Sequence, residues 1–538
     1  MLRRFFFTGR AFAPRAVALF ALAAGAAAAD APASRPVSRL DFTNPPPGLF
    51  LDDWFEARLM GKKAGHLHST VERREERIIS TLEMHFALQR GEVEVELSVR
   101  QRFRETLDGR PLGFEHELRL AGQPIRQKGV IRGARLTLTT EQFGATTKQT
   151  YAFDAETKFS WGQLLEQRRR GLKTGTRYRF KTYDPSVAVD RAIDADVEVL
   201  GPERVPVGGR PTRAIRTRMI TNLAVPVTSE TWVDEDGLPL ISSVKLGAIE
   251  MEIVRTDRES ALAGGRGPEM LFSTLISVRG EFDRRARRVV YRLRIGGDEE
   301  MPDLPTTGMQ TWKRLGQNEI EIAVSRIDWD AVRRPAARPD EIPADISETF
   351  LQASTYLDIN DPGVRRLARR GARGAEGPAE LADGLRRFVT DYVEDKGLDV
   401  GFATASEVAK TRKGDCTEHG VLLAALARAR GLPARVVAGI VMVPQADPDD
   451  DPPRRPLDAR ENTKRRLRPA QFGYHMWTQV YLDGRWIDLD SALRQTECDA
   501  THIALAALPL NTEGIFEGTV KIVPLLGRLE IEFVRAEP

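Results

Sequence analysis

The alternation of apolar and polar positions changes character along the chain. From Trp54 to about Arg255 it runs with period two, as in Val93-Glu94-Val95-Glu96-Leu97-Ser98-Val99 and Glu115-His116-Glu117-Leu118-Arg119-Leu120. That period describes strands with one covered face, because successive side chains point to opposite sides of a sheet. Asp108-Gly109, Arg132-Gly133 and Asp236-Gly237 read as turns or loops between them. One helical interruption is expected around Trp161 to Arg169. The stretch predicts a large antiparallel meander whose polar faces carry most of the Arg and Glu.

Ala261-Leu262-Ala263-Gly264-Gly265-Arg266-Gly267-Pro268 reads as a linker. A smaller β segment follows, with Arg288 to Ile295 and Glu319 to Val324 its clearest strands. The Pro-rich passage Arg334 to Pro343 closes it. Beyond that the pattern becomes mixed. Asn360-Asp361-Pro362 opens a helix, with Pro at its first position. Leu381, Leu385, Phe388, Val389, Tyr392 and Val393 trace one apolar face of a second helix, Glu380 to Glu394. A short helical turn is expected at Ala405 to Ala409. A helix from Cys416 ends at Gly431, with Pro433 just beyond. Ala434 to Val443 reads as a strand. The passage from about Gln445 to Gln471, rich in Asp, Pro and Arg, reads as a long loop. Tyr474-His475-Met476-Trp477 opens an alternating stretch, Asp483-Gly484 turns it, and Trp486-Ile487-Asp488-Leu489-Asp490 returns. A short helix near Ile503 to Leu508 and strands at Gly518 to Val523 and Arg528 to Val534 complete the reading.

At 538 residues the chain is too long for one core. The expected division is a signal peptide over 1–29, a linker over 30–48, a β-rich domain over 49–262, a smaller β domain over 268–345 and a catalytic domain over 346–538. The fold class is α+β. A charged fraction of 29% and a net charge of +3, with Arg interleaved among Glu and Asp, fit a globular protein with mixed surfaces and no nucleic-acid footprint. Arg3, Arg4, Arg10 and Arg15 precede a short apolar run, Val17 to Ala24, and a small-residue site, Ala27-Ala28-Ala29. That order predicts an export signal and a periplasmic or secreted protein, touching membrane only through this segment if it stays uncleaved. The only cysteines, Cys416 and Cys498, exclude a disulfide scaffold and are expected as free thiols.

The chemistry centres on Gly414-Asp415-Cys416 and the helix behind it. A thiol at a helix N-terminus meets unpaired backbone N–H groups and the positive end of the dipole, and both favour the reactive thiolate. His475 supplies an imidazole, and a carboxylate on the returning strand would orient it. Asp488 and Asp490 have the same parity, so alternation does not separate them. The backbone N–H of Cys416 is the expected oxyanion donor, with the second donor unassigned.

These motifs, taken with Gly431-Leu432-Pro433-Ala434-Arg435-Val436-Val437-Ala438-Gly439, resemble the transglutaminase-like superfamily over about residues 350 to 495. The resemblance implies a papain-like α+β core and a Cys–His–Asp triad. Its spacing maps the aspartate to Asp490, although Ser491 stands where the family usually has Pro. It also implies thioester chemistry on amides without an organic cofactor.

The expected activity is thus that of an exported, cysteine-dependent acyl-transfer enzyme. Its substrates would be protein or peptide amides, cell-envelope peptides among them, with hydrolysis favoured over transamidation. Cys416 is the nucleophile, His475 the proton carrier and Asp490 the orienter; no metal or cofactor residue is assigned. The alternative is an envelope-binding or scaffold protein that works through its β-rich region and carries a silent catalytic domain. Bland readings are taken elsewhere: His419 as a structural histidine, Asp415 as a helix cap, His66 and His68 as surface groups, Cys498 as a spectator, and Asp447, Asp449, Asp450 and Asp451 as a solvated loop.

Overall fold

The structure is a computed structural model. It describes residues 41–537 apart from 91–92, 121–123, 143–144, 189, 224–225, 247–248, 265–266, 269–274, 281–283, 298–299, 335–341, 355, 395–402, 444–469, 511–521 and 523–524. The export signal, the Asp447 to Asp451 cluster and nearly all of the strand expected at 518–523 lie outside the described residues. The described chain forms two compact units, divided near residue 270.

The first unit carries the period-two pattern. Its strands, from Gly48–Leu59 to Ile249–Thr256, form one fifteen-stranded sheet among the described residues. Sequence neighbours pair antiparallel on both limbs of the meander, except that Thr157–Lys158 at the sheet edge runs parallel to Arg177–Thr182, and the limbs join where Gly48–Leu59 pairs with Ile249–Thr256. The helix expected at Trp161 to Arg169 is present as Ser160–Arg170. It has a reason to sit against the sheet: Trp161 and Leu164 pack with Leu51, Val71, Ile78 and Leu238. Phe159 at its N-cap offers no capping side chain. Glu105 does that work instead, accepting from the N–H groups of Trp161 (2.9 Å) and Gly162 (2.8 Å). Complete burial pushes the Glu105 carboxyl up to about 8 against the pull of those amides.

His68 stacks on Trp54 with ring centroids 4.0 Å apart and meets Asp52 at 2.7 Å. His66 stacks on His85. Burial, with His85 beside it, holds His66 down to about 4. Among the described residues no group of three or more His, Cys, Asp or Glu is placed to hold a metal ion.

In the second unit the strands are β1 (Ile276–Arg279), β2 (Arg288–Ile295), β3 (Gln310–Gly316), β4 (Glu319–Ser325), β5 (Ala434–Val443), β6 (Gln471–Leu482), β7 (Arg485–Leu489), β8 (Ile503–Leu508) and β9 (Leu529–Glu537). Its main helices are α1 (Pro362–Gly371), α2 (Pro378–Tyr392), α3 (Ala405–Thr411) and α4 (Cys416–Ala429). The strands make one sheet in the order β3-β4-β2-β9-β1-β6-β5-β8, with β7 on β6. Among the described residues, the passage expected as a smaller β domain shares this sheet. Its β2 pairs with β9 near the C-terminus, and β1 bridges β9 to β6.

Residues 503–508, expected as a short helix, are the strand β8, antiparallel to β5. Helix α4 is buried along nearly its whole length and packs against α1, α2, α3, β5 and β6. An all-round apolar helix of this kind belongs to a core. Its last turn carries buried Arg428, whose guanidinium donates to the carbonyls of Ala434, Gln352 and Pro509 at 2.8–2.9 Å. Burial alone draws that group down to about 10.

Candidate active site

Cys416 is the first residue of α4, and Asp415 is its N-cap. The cap is reciprocal. Asp415 accepts from the Thr417 N–H at 2.9 Å, and Glu418 reaches back to the Asp415 N–H at 2.9 Å. The other Glu418 oxygen accepts from the Ala403 N–H at 3.1 Å. Burial, then the neighbouring Asp415, push the Glu418 carboxyl well up. This packing explains Gly414. Its φ is +150°, and a Cβ there would lie 2.2 Å from the Glu418 Cβ. The glycine lets the chain enter the helix over the capping glutamate, which fixes where the Cys416 thiol starts.

His475 lies on β6, opposite Gly439 of β5. Gly439 has no room for a side chain: a Cβ would meet the Ile503 carbonyl oxygen at 2.2 Å and the Trp477 ring at 2.5 Å. The indole beside His475 thus rests on bare backbone. Its N–H donates to Asp488 at 2.8 Å, and the Gln479 amide donates to the same oxygen at 2.5 Å. Asp488 is occupied with positioning Trp477 and Gln479. Asp490 is the carboxylate that meets His475, with Oδ2 2.7 Å from Nε2. Its Oδ1 accepts the Leu493 N–H at 2.8 Å. The structure thereby separates the two aspartates that strand parity leaves equivalent.

Asp490 is fully buried and His475 is 5% exposed. Burial by itself would lower the imidazole, but Asp490 and then Cys416 outweigh it, and His475 is pushed up to about 10. His475 also hydrogen-bonds the Cys416 side chain. With Nε2 committed to Asp490, that leaves Nδ1 for the thiol. Asp490 in turn is held well below the usual carboxylate range: burial pushes it up, and His475 and His502 more than offset this.

Cys416 and Cys498 are both buried free thiols, so no bridge blocks the site. They differ in surroundings, since burial pushes Cys498 up to about 12. His419, one turn into α4, is 1% exposed and places Nδ1 2.7 Å from the Asp415 carbonyl oxygen, a structural role. Sequence reasoning missed His502, which lies 3.2 Å from Asp490 Oδ2. No spacing motif announces it, because it reaches the site through the pairing of β8 with β5.

The Transglutaminase-like superfamily profile matches residues 365–491. No curated protein matches the chain. Among solved structures, the chain is similar to a beta-barrel-like protein of a domain of unknown function from Brucella abortus. That match has 12% identity and TM-score 0.31, and covers 39% of this chain and 96% of that one. It is also similar to the Cytophaga hutchinsonii protein described as a "Putative Cysteine Protease", at 15% identity and TM-score 0.27, covering 45% and 83%. The periplasmic domain of TgpA from Pseudomonas aeruginosa, bound to ethylmercury, aligns at 13% identity and TM-score 0.23, covering 40% and 92%. Together with the helix, strand and side-chain arrangement described above, the profile match establishes that this α+β chain carries, at residues 365–491, a domain of the transglutaminase-like superfamily.

Proposed function

We propose that Cys416, His475 and Asp490 form the acyl-transfer machinery of an exported cysteine-dependent enzyme acting on protein or peptide amides. The observation that carries this reading is His475, which is held by buried Asp490 through Nε2 and hydrogen-bonds the Cys416 side chain at a helix N-terminus. The proton of the thiol passes to His475 Nδ1. The thiolate then attacks the amide carbonyl, and the oxyanion formed is met by the Cys416 N–H. The imidazolium returns its proton to the departing amine as the C–N bond breaks, leaving a thioester. Water, deprotonated by His475, then attacks the thioester and releases the acid, and the thiol is restored. Hydrolysis is the favoured outcome because water is always at hand. Transamidation follows the same path with an amine as the acceptor.

Capture of the thioester tests this directly. The full-length protein is mixed with a chemically activated peptide ester, quenched in acid and weighed intact. One acyl mass on Cys416, absent in Cys416→Ala and formed at least about 100-fold more slowly in His475→Ala, is the expected result. Acylation that ignores both substitutions would refute the assignment.

A further inference from the structure

Asp490 is shared. Its Oδ2 lies 2.7 Å from His475 Nε2 and 3.2 Å from His502 Nε2, so two imidazoles converge on one carboxylate oxygen. The other His502 nitrogen, Nδ1, is 3.3 Å from Asp499 Oδ1. Asp499 is itself anchored. Its Oδ2 accepts from Arg284 Nε at 2.6 Å, and its Oδ1 accepts from the Thr501 N–H at 3.0 Å and the Thr501 hydroxyl at 2.5 Å. Both His502 nitrogens thus face carboxylates. A neutral imidazole has one N–H and can donate to only one of them, whereas an imidazolium donates to both. His502 is 1% exposed and Asp490 is fully buried, so bulk water does not reach these atoms.

We propose that His502 is a positioning residue for the acyl-transfer reaction: a fixed imidazolium, held by Asp499 and Arg284, that keeps Asp490 ionised and aimed at His475. This rests on the reading of Cys416, His475 and Asp490 as the reacting set. The charge balance gives the reason for a second cation. In the thiolate–imidazolium form the row reads Cys416 negative, His475 positive, Asp490 negative, His502 positive, Asp499 negative, Arg284 positive. Without His502 the buried row carries an uncompensated negative charge, which a low-dielectric interior penalises.

The other groups around His502 do not replace it. Cys498 hydrogen-bonds His502 but, as a thiol pushed up to about 12, adds no positive charge. Asp488, also in its field, is drawn upward by burial and engaged by Trp477 and Gln479. From α2, Arg386 lies in the field of Asp490 and Cys498, but it hydrogen-bonds Thr390 at 3.3 Å and pairs with Asp383 at 3.7 Å. The Trp477 ring meets His502 edge-on at 5.2 Å and supplies no charge.

The test reads charge and not mere stability. The rate of Cys416 alkylation by iodoacetamide is followed from pH 4 to 11 in the intact protein, in His502→Gln and in His475→Ala. Loss of a cation beside the row makes the His475 imidazolium hold its proton to higher pH. His502→Gln is therefore expected to move the step of the profile set by His475 upward, by roughly half a unit or more. A lower rate with an unmoved profile, or an unchanged rate, overturns the proposal. Nitrogen-15 NMR of histidine-labelled protein at pH 8.5 keeps the question answerable if His502→Gln does not fold. Two imidazolium rings are expected in the wild type, and one of them is expected to remain in His475→Ala. If none remains in that variant, His502 is neutral and the proposal fails. If the wild type lacks the ring that His475→Ala should remove, the reading of the reacting set fails instead.

Discussion

At the scale of single residues, the chemistry turns on which carboxylate serves His475. The structure gives Asp490 that place and gives Asp488 the task of holding Trp477 and Gln479. The two should therefore fail differently. Asp490→Asn keeps the shape but removes the charge that steadies the imidazolium. It is expected to slow acylation of Cys416 by about 100-fold to 10,000-fold, measured by intact mass, and to lower the melting temperature, because His475 and His502 lose their buried counter-charge. Asp488→Asn keeps a carbonyl oxygen to accept from Trp477 and Gln479, and is expected to cost much less.

The pair also dictates a pH window for stability. His475 is raised to about 10 in the fold, so its contribution is complete below the unfolded histidine value and is lost as pH climbs through about 10. Asp490 is depressed, so its contribution is present above the unfolded aspartate value and is lost as pH falls through its folded value. Melting temperature plotted against pH should fall on both sides, and the alkaline fall should flatten in His475→Ala. Cys416 and His475 stood out in the sequence, because a thiol before a helix and an imidazole on a strand are local patterns, whereas strand parity left Asp488 and Asp490 equivalent and only the family spacing pointed to Asp490. Arg284, Asp499 and His502 were not, because only the folded sheet brings them together.

At the scale of elements, the caps carried the reading well. Helix α4 begins at Cys416 with Asp415 as its cap, and α1 begins behind Asp361 with Pro362 first, both readable from sequence. Strand β8 was misread because Ile503-Ala504-Leu505-Ala506-Ala507-Leu508 is a short, wholly apolar run with no polar face. Such a run reveals no period, and burial against β5 decided its conformation.

The glycines around the site give sharper expectations. In Gly414→Ala the new methyl meets Glu418 at 2.2 Å and φ is +150°, so both the melting temperature and Cys416 alkylation should drop markedly. Gly420 differs: its new methyl would touch Val436 and Trp477 at 3.6–3.7 Å, an ordinary contact. Gly420→Ala should be tolerated, or should stabilise by about 0.4–1 kcal/mol, read from denaturant midpoints.

At the scale of the whole molecule, the sequence separated a β-rich part from a mixed part but placed one boundary where the sheet has none. The passage at 268–345 looked independent because its strands alternate and Pro-rich segments flank it. Its partners in the later part of the chain lie more than 190 residues away, and pairing at that separation leaves no local trace. Tyr291 donates to the Ala500 carbonyl at 2.9 Å, and the Gln310 amide exchanges two hydrogen bonds with the backbone of Ala504 at 2.8 and 2.9 Å. A fragment of residues 346–538 should therefore be insoluble or unfolded by circular dichroism, whereas residues 271–538 should melt cooperatively.

The central claim is that Cys416 is an activated nucleophile and Cys498 is not. The most direct measurement is the rate at which iodoacetamide alkylates each thiol at pH 7 in the intact protein, resolved by peptide mass. Cys416 is expected to react alone and rapidly, His475→Ala to abolish most of that advantage, and Cys498 to stay unlabelled until the protein is unfolded. Equal, slow labelling of both cysteines, untouched by His475→Ala, would contradict it.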